Sequence, residues 1–516
     1  GYDTLVWVGE QPWSNGKVGT LGLSYTCANQ QALAIRRPPY LAAQILLDGG
    51  YSYYMRTMRH SGACEYGIVL PYVLWMARTS QEARRDPQVR AALDAMWAQL
   101  PQWVRRMPLR PGESPLALVP NYERWFFDML WHGEYDEYWR RPGLDLAPYL
   151  DQYPDIPILL ETSWYGHHIW ATLTKYAELR SRHRTPKHLL LGTWLHGYET
   201  FGQSYAGDVD FGAEAALDGI NDVRLRWFDR WLKGLDSGVD REPPIRLFVM
   251  GGGSGRKDAA GRLDHGGRWR FETEWPPAGT RFVPYYLHEG GLLSPEPPPG
   301  GVEPSRYTFN PADPVPTIGG NFQNLGVPGL LEGGGFDQRG RADLSLCTDT
   351  LPLAQRRDVL VFRTPPLAEA VEVTGPLTVT LWISSSAVDT DFTAKLVDEY
   401  PPNEDYPAGY ALNIADSILR VRYRNGFERA ELMEPGQVYR ITIEPQPTSN
   451  RFERGHRIRL DISSSNFPHF DVNPNTGEPP GRERRIVVAH QAVYHDAARP
   501  SHILLPIVPA RKEDSR

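Results

Sequence analysis

The chain has 516 residues, of which 41% are hydrophobic and 23% charged, with a formal net charge of −7. That length predicts about two to four domains, the acidic balance without basic clustering excludes a nucleic-acid binder, and no apolar run is long enough to span a bilayer. Three cysteines, Cys27, Cys64 and Cys347, are too few for a disulfide framework, so a reducing, cytoplasmic setting is expected.

In chain order, the opening segment around Leu5, Val6 and Val8 reads as a helix, "KVGTLGLS" as a strand and "AAQILLD" as another strand. Residues 52–152 turn helical and bulky. "QVRAALDAMWAQLPQWV" and "NYERWFFDMLWHGEYDEYWRR" carry apolar residues at i, i+3, i+4 spacing with no strand evident. Strand and helix alternate again through "IPILLETSWYG", "WATLTKYAELRS", "HLLLGTW" and "GINDVRLRWFDRWLKGL". This alternation predicts a mostly parallel sheet covered on both faces, interrupted by the helical block as a cap. From Ile245 onward, short runs with period-2 alternation, such as "LTVTLWI" and "HRIRLDI", lie between Pro- and Gly-rich turns and predict a β-sandwich of jelly-roll type. The expected domains are residues 1–51 with 153–240, the cap at 52–152, and the sandwich at 241–516.

"VGTLGLSYT" places Ser24 between a strand and a helical segment, the setting of a nucleophile elbow. Gly22 supplies one small neighbour, but Thr26 breaks the G-x-S-x-G pattern, and an ordinary turn serine is an equal alternative on this evidence. A helix starting after Ser24 would aim the Tyr25 N–H at a developing oxyanion. His196, in "LLLGTWLHG", follows an apolar strand at the end where parallel sheets carry their sites. Its place after Ser24 fits the chain order of α/β-hydrolases, in which a neutral imidazole takes and returns the serine proton. "MGGGSGRKDAAG" fails as a nucleotide loop because no helix follows it, and His167-His168 lacks the companions of a zinc site.

Taken together, "GYDTLVWVGEQPWSNGKVGTLGLSYT", "SWYGHHIWATL", "GTWLHG", "VRLRWFDRWLKGLDSGV", "PIRLFVMGG", "VTGPLTVTLWISSSAVDTDFTAKLVD" and "RIRLDISSSNFPHFDVNPNTG" resemble the cocaine-esterase and X-Pro dipeptidyl-peptidase family. That family also contains α-amino-acid ester hydrolases and glutaryl-cephalosporin acylases. The resemblance implies an α/β-hydrolase domain with an inserted helical cap and a C-terminal jelly roll bordering the site. It implies Ser24 as nucleophile, His196 as base and the Tyr25 N–H as an oxyanion donor. The implied substrate is a small-molecule ester or amide, cleaved through an acyl-enzyme with no cofactor and no metal.

Three departures stand out. Cys27 replaces the last glycine of the family's G-x-S-Y-x-G. Gly166 stands after Trp164-Tyr165, where the family carries its triad acid. Family elements that precede the elbow strand, an oxyanion-hole tyrosine among them, have no counterpart, so the sheet is expected to be N-terminally incomplete. Asp48, ending "AAQILLDGG" beside the elbow strand, is the first candidate for the missing acid, although a turn residue before Gly-Gly is the commoner role. Glu161 is the second candidate, expected inside the sheet, while Asp208 and Asp210 are read as loop structure. Two other readings stay open: an impaired member serving as a binding or scaffold protein, and a fragment of a longer hydrolase. Whether the chain forms a homo-oligomer, and which ester or amide it prefers, is left open by the residues.

Overall fold

The structure, a computed structural model, describes residues 1–510. Five parallel strands form its catalytic sheet in the order Val18–Leu23, Leu41–Leu47, Ile158–Ser163, Lys187–Gly192 and Ile245–Met250. Side chains alternate between the two faces of a strand, so a strand covered on both is buried at every position and largely apolar. Ile158–Ser163 and Lys187–Gly192 are buried at every position. Ile158 and Leu160 join one core with Leu173 and Tyr176 of the helix Ile169–Arg182. Leu159 and Leu190 face the other way, into a second core with Ile220 and Trp227 of the helix Ile220–Phe228.

One sequence expectation is corrected here. Ile245–Met250, read as the first sandwich strand, pairs in parallel with Lys187–Gly192, and Gly267–Glu272 adds to it antiparallel. The catalytic sheet therefore runs past residue 240. "IRLFVM" is a short buried run, and neither its length nor its period distinguishes a parallel-sheet strand from a sandwich strand. At the opposite edge, Val18–Leu23 pairs with Leu41–Leu47 and with no other strand among the described residues, and Leu21 is exposed.

Residues 52–152 fold around their own core. Leu70 and Leu74 of Tyr66–Arg78, Leu93 of Pro87–Ala98, and Phe126, Phe127 and Leu130 of Pro120–Trp131 meet there. The block does hold a minimal ladder, Arg59–His60 with Ala63–Cys64, too short for any alternation to announce it. The C-terminal sandwich is built on long antiparallel strands. Asp391–Tyr400 pairs with both Tyr410–Arg420 and Arg457–Ser463, and Thr378–Ser385 pairs with Ala489–Asp496. No helix among the described residues is long and apolar enough to cross a membrane.

Candidate active site

The elbow strand Val18–Leu23 delivers Ser24 into the helix Tyr25–Ala34 with φ 62° and ψ −122°. A non-glycine residue in that region is strained by about 1–3 kcal/mol, and such strain persists where the surroundings over-determine it. Three backbone hydrogen bonds do so. The Ser24 N–H donates to the Leu47 carbonyl at 3.0 Å, and the Ser24 carbonyl accepts from the amides of Cys27 (3.0 Å) and Ala28 (3.3 Å). Tyr25 is the first residue of the helix, so its N–H has no helical acceptor and faces outward as a donor.

Cys27, in place of the expected glycine, is fully buried, and the space it takes is given up across the gap by Gly49. A Cβ at Gly49 would lie 2.3 Å from Cys27 Cβ. Beneath both, Lys175 donates to the Gly49 carbonyl at 3.2 Å and approaches Cys27 Sγ at 3.6 Å. Burial pushes the Cys27 thiol up, against the pull of Lys175, so Cys27 is a packed filler rather than a reactive thiolate.

Asp48 ends the neighbouring strand with φ 32°, and its carboxylate is fully engaged. Its Oδ2 lies 2.5 Å from His196 Nδ1, while Oδ1 accepts from Thr162 Oγ1 at 2.7 Å and from the His168 N–H at 3.1 Å. Burial alone would raise this carboxyl, but His196, His168 and Thr162 outweigh it and hold Asp48 well below the usual carboxylate range. The turn role expected for Asp48 is thus only half of what it does. Gly166 shows why. A Cβ at position 166 would lie 3.0 Å from Asp48 Oδ1 and 2.8 Å from Ser163 Oγ. The carboxylate from the adjacent strand occupies the place that a side chain at 166 would fill. Glu161, the other candidate acid, is buried in the sheet and bound to Arg224 at 2.7 Å, as its position suggested. Asp210 accepts from the Gly212 amide at 2.7 Å, a loop role.

His196 is buried, and its Nε2 has no hydrogen-bond partner. Ser24 makes no hydrogen bond to it here. Such bonds are often long before substrate binds and tighten in the reacting complex. The His168 ring meets His196 edge-on at 5.3 Å, and it lines the same chamber as Ser24.

That chamber holds about 240 Å³, and its walls include Tyr53, Met58, Ile68, Trp125, Trp139 and, from the C-terminal half, Gln323. Of the cap tryptophans, Trp125 and Trp139 reach it, while Phe126 stays in the cap core. Wider clefts of about 380 and 530 Å³ lie against the sandwich, but neither is lined by Ser24, Asp48 or His196.

His167 and His168, which lack the companions of a zinc site, both line the chamber. They stack at 4.5 Å with planes 12° apart. His167 Nε2 lies 2.9 Å from Glu65 Oε2, and His60 and His469 approach the same carboxylate at 3.5 and 3.8 Å. Cap, catalytic sheet and sandwich therefore meet on Glu65, a link that no local pattern could announce. Burial opposes charge on both partners, but each outweighs it for the other: Glu65 is held well below the carboxylate range and His167 is raised. His60 is pushed down to about 3, by burial first and then by Arg56, and stays neutral. Among the described residues, no group of three or more His, Cys, Asp and Glu is arranged to hold a metal ion.

The pair fixes a pH window. The Glu65 contribution is present above its unfolded pKa of about 4.3 and fades as pH falls through its depressed folded value. The His167 contribution is present below about 6.5 and fades as pH rises through its raised folded value. Glu65→Gln is expected to lower unfolding stability by about 3–5 kcal/mol. In denaturant titrations across pH, the deficit should be widest between those two reference values and narrow on either side.

Sequence comparison bears on this geometry. The profile for X-Pro dipeptidyl-peptidase (S15 family) matches residues 1–198, and that for the X-Pro dipeptidyl-peptidase C-terminal non-catalytic domain matches residues 237–504. Cocaine esterase of Rhodococcus sp. (strain MB1 Bresler) is 31% identical over 530 residues, covering 98% of this chain and 83% of the esterase. Two solved structures share the fold. An aminopeptidase from a marine-sediment Thaumarchaeota archaeon is 24% identical with a TM-score of 0.75, and an α-amino acid ester hydrolase is 23% identical with a TM-score of 0.74. Each comparison covers 98% of this chain and 79% of the other. A two-part profile match in one order, a relative similar along nearly the whole length, and a strained serine at the head of a parallel sheet all agree, and the chain belongs to the X-Pro dipeptidyl-peptidase (S15) family of serine hydrolases.

Proposed function

We propose that the protein hydrolyses carboxylic esters with an uncharged, largely hydrocarbon acyl part through an acyl-enzyme on Ser24. The observation that carries this reading is the Asp48 Oδ2 to His196 Nδ1 contact of 2.5 Å, with Nε2 left unpartnered. In that arrangement Nδ1 keeps its proton and Nε2 is the basic nitrogen. Nε2 takes the Ser24 proton as Oγ attacks the acyl carbonyl, and Asp48 stabilises the imidazolium that forms. The Tyr25 N–H faces the oxygen on which negative charge develops. Collapse of the tetrahedral adduct expels the alcohol with the proton from His196, and water then repeats the sequence to release the acid.

The chamber supports the substrate class. Its lining is mostly aromatic and thioether, and no carboxylate is among the lining residues to receive the ammonium of a free amino terminus. An ester resembling the substrate named for the Rhodococcus relative, with a neutral acyl group, suits it better than a dipeptide amide. The impaired-enzyme reading was motivated by Gly166 and by the family elements missing ahead of the elbow strand; the carboxylate of Asp48 beside His196 weighs against the first of these.

Fluorophosphonate labelling tests the proposal. The parent should be labelled and should hydrolyse 4-nitrophenyl butyrate, and Ser24→Ala should lose both with an unchanged circular dichroism spectrum. A well-folded parent that takes no label would overturn it.

A further inference from the structure

The chamber beside Ser24 holds several hydroxyls, those of Tyr53, Tyr72 and Tyr138 among them, and a hydroxyl rotates to donate or accept as a ligand requires. His168 is different, because its surroundings leave it one role. The single hydroxyl proton of Thr57 goes to the Arg56 carbonyl, so Thr57 Oγ1 can only accept from the imidazole, whose Nδ1 is 3.2 Å away. The ring proton is therefore on Nδ1. A second proton is disfavoured by burial and by the stacked, Glu65-bound His167, which together hold His168 well below the usual histidine range. A neutral imidazole protonated at Nδ1 presents a bare lone pair at Nε2, and this Nε2 has no hydrogen-bond partner among the described residues.

The ring is also held against rotation. Its backbone N–H is tied to Asp48, one face lies on His167 and an edge meets His196. A fixed acceptor in a chamber lined largely by aromatic and thioether side chains recognises a donor and penalises its absence.

Resting on the reading of Ser24 as nucleophile, we propose that His168 Nε2 is a specificity determinant that accepts a hydrogen bond from the acyl part of the substrate. The preferred esters then have an aromatic acyl group bearing an uncharged O–H or N–H, such as a phenol or a secondary amide. An ammonium group fits poorly, since no carboxylate lines the chamber to receive it and Glu65 raises the affinity of the lining His167 for a proton.

The test uses 4-nitrophenyl esters of 3-phenylpropanoic acid and of its 3-hydroxy, 4-hydroxy and 4-methoxy ring derivatives, with the full chain. At least one phenolic ester should exceed the unsubstituted and methoxy esters in kcat/KM by about 10- to 100-fold. In His168→Phe that ratio should fall to within about twofold, and His168→Gln, which keeps an acceptor, should restore part of it. Equal kcat/KM values across the series, in a parent that takes the fluorophosphonate label at Ser24, overturn the assignment. So does a preference that survives His168→Phe, or a labelled parent that turns over none of the series. A folded parent with neither label nor turnover refutes the Ser24 reading itself, and this inference falls with it.

Discussion

Asp48→Asn is expected to lower kcat on a carboxylic ester by about 10⁴-fold with little change in KM. The size follows from the hydrogen bonds around the carboxylate. Thr162 Oγ1 and the His168 N–H both donate to Oδ1, so the asparagine oxygen takes that position and its amide NH₂ faces His196 Nδ1. Nδ1 must then accept, which places the ring proton on Nε2. The base is lost although every atom is nearly where it was. Steady-state kinetics on the folded variant check this, and a loss below about tenfold would remove Asp48 from the role of orienting acid.

Gly166→Asp is the second. From family resemblance alone this substitution should repair a missing acid and raise the rate. The structure requires the opposite. The new Cβ would stand 3.0 Å from Asp48 Oδ1 and 2.8 Å from Ser163 Oγ, and a second carboxylate would crowd the first. Two carboxyls at such separation cannot both stay ionised, so one proton is retained and the pair loses its grip on His196. Displacing a catalytic group by about 1 Å already costs about 10²-fold, and a fall of at least that size in kcat is expected. Moving the acid rather than duplicating it should help. The double variant Asp48→Gly/Gly166→Asp should recover at least about tenfold over Asp48→Gly alone, because glycine accepts the positive φ at position 48 and frees the space. A rate gain in the single Gly166→Asp variant would refute the claim that Asp48 already fills that place.

Much of the scaffold was legible before any coordinates. The parallel-sheet strands "AAQILLD" and "HLLLGTW" are predominantly apolar runs, the cap helices show 3.6-residue spacing, and the sandwich strands alternate in sequence. These are local periodicities that report the faces a segment must bury. Ser24, Tyr25 and His196 were legible too, since each stands where a strand ends and a turn or helix begins. Ile245–Met250 was misassigned because a six-residue buried strand carries no mark of which sheet it joins.

What the chain order alone determined is therefore the set of elements, the two-part architecture and the serine and histidine at the strand ends. What only the tertiary structure decided is which carboxylate lies against His196 and what surrounds it. Asp48 and Gly166 are 118 positions apart, and so many carboxylates follow strands that spacing cannot rank them; their exchange is visible only when two adjacent strand ends share one small volume. The grouping of Glu65 with His60, His167 and His469, and the single free nitrogen of His168, likewise arise where three distant stretches of the chain meet at one point. A side chain's partners across such a junction depend on packing at ångström scale, and no periodicity along the chain encodes that.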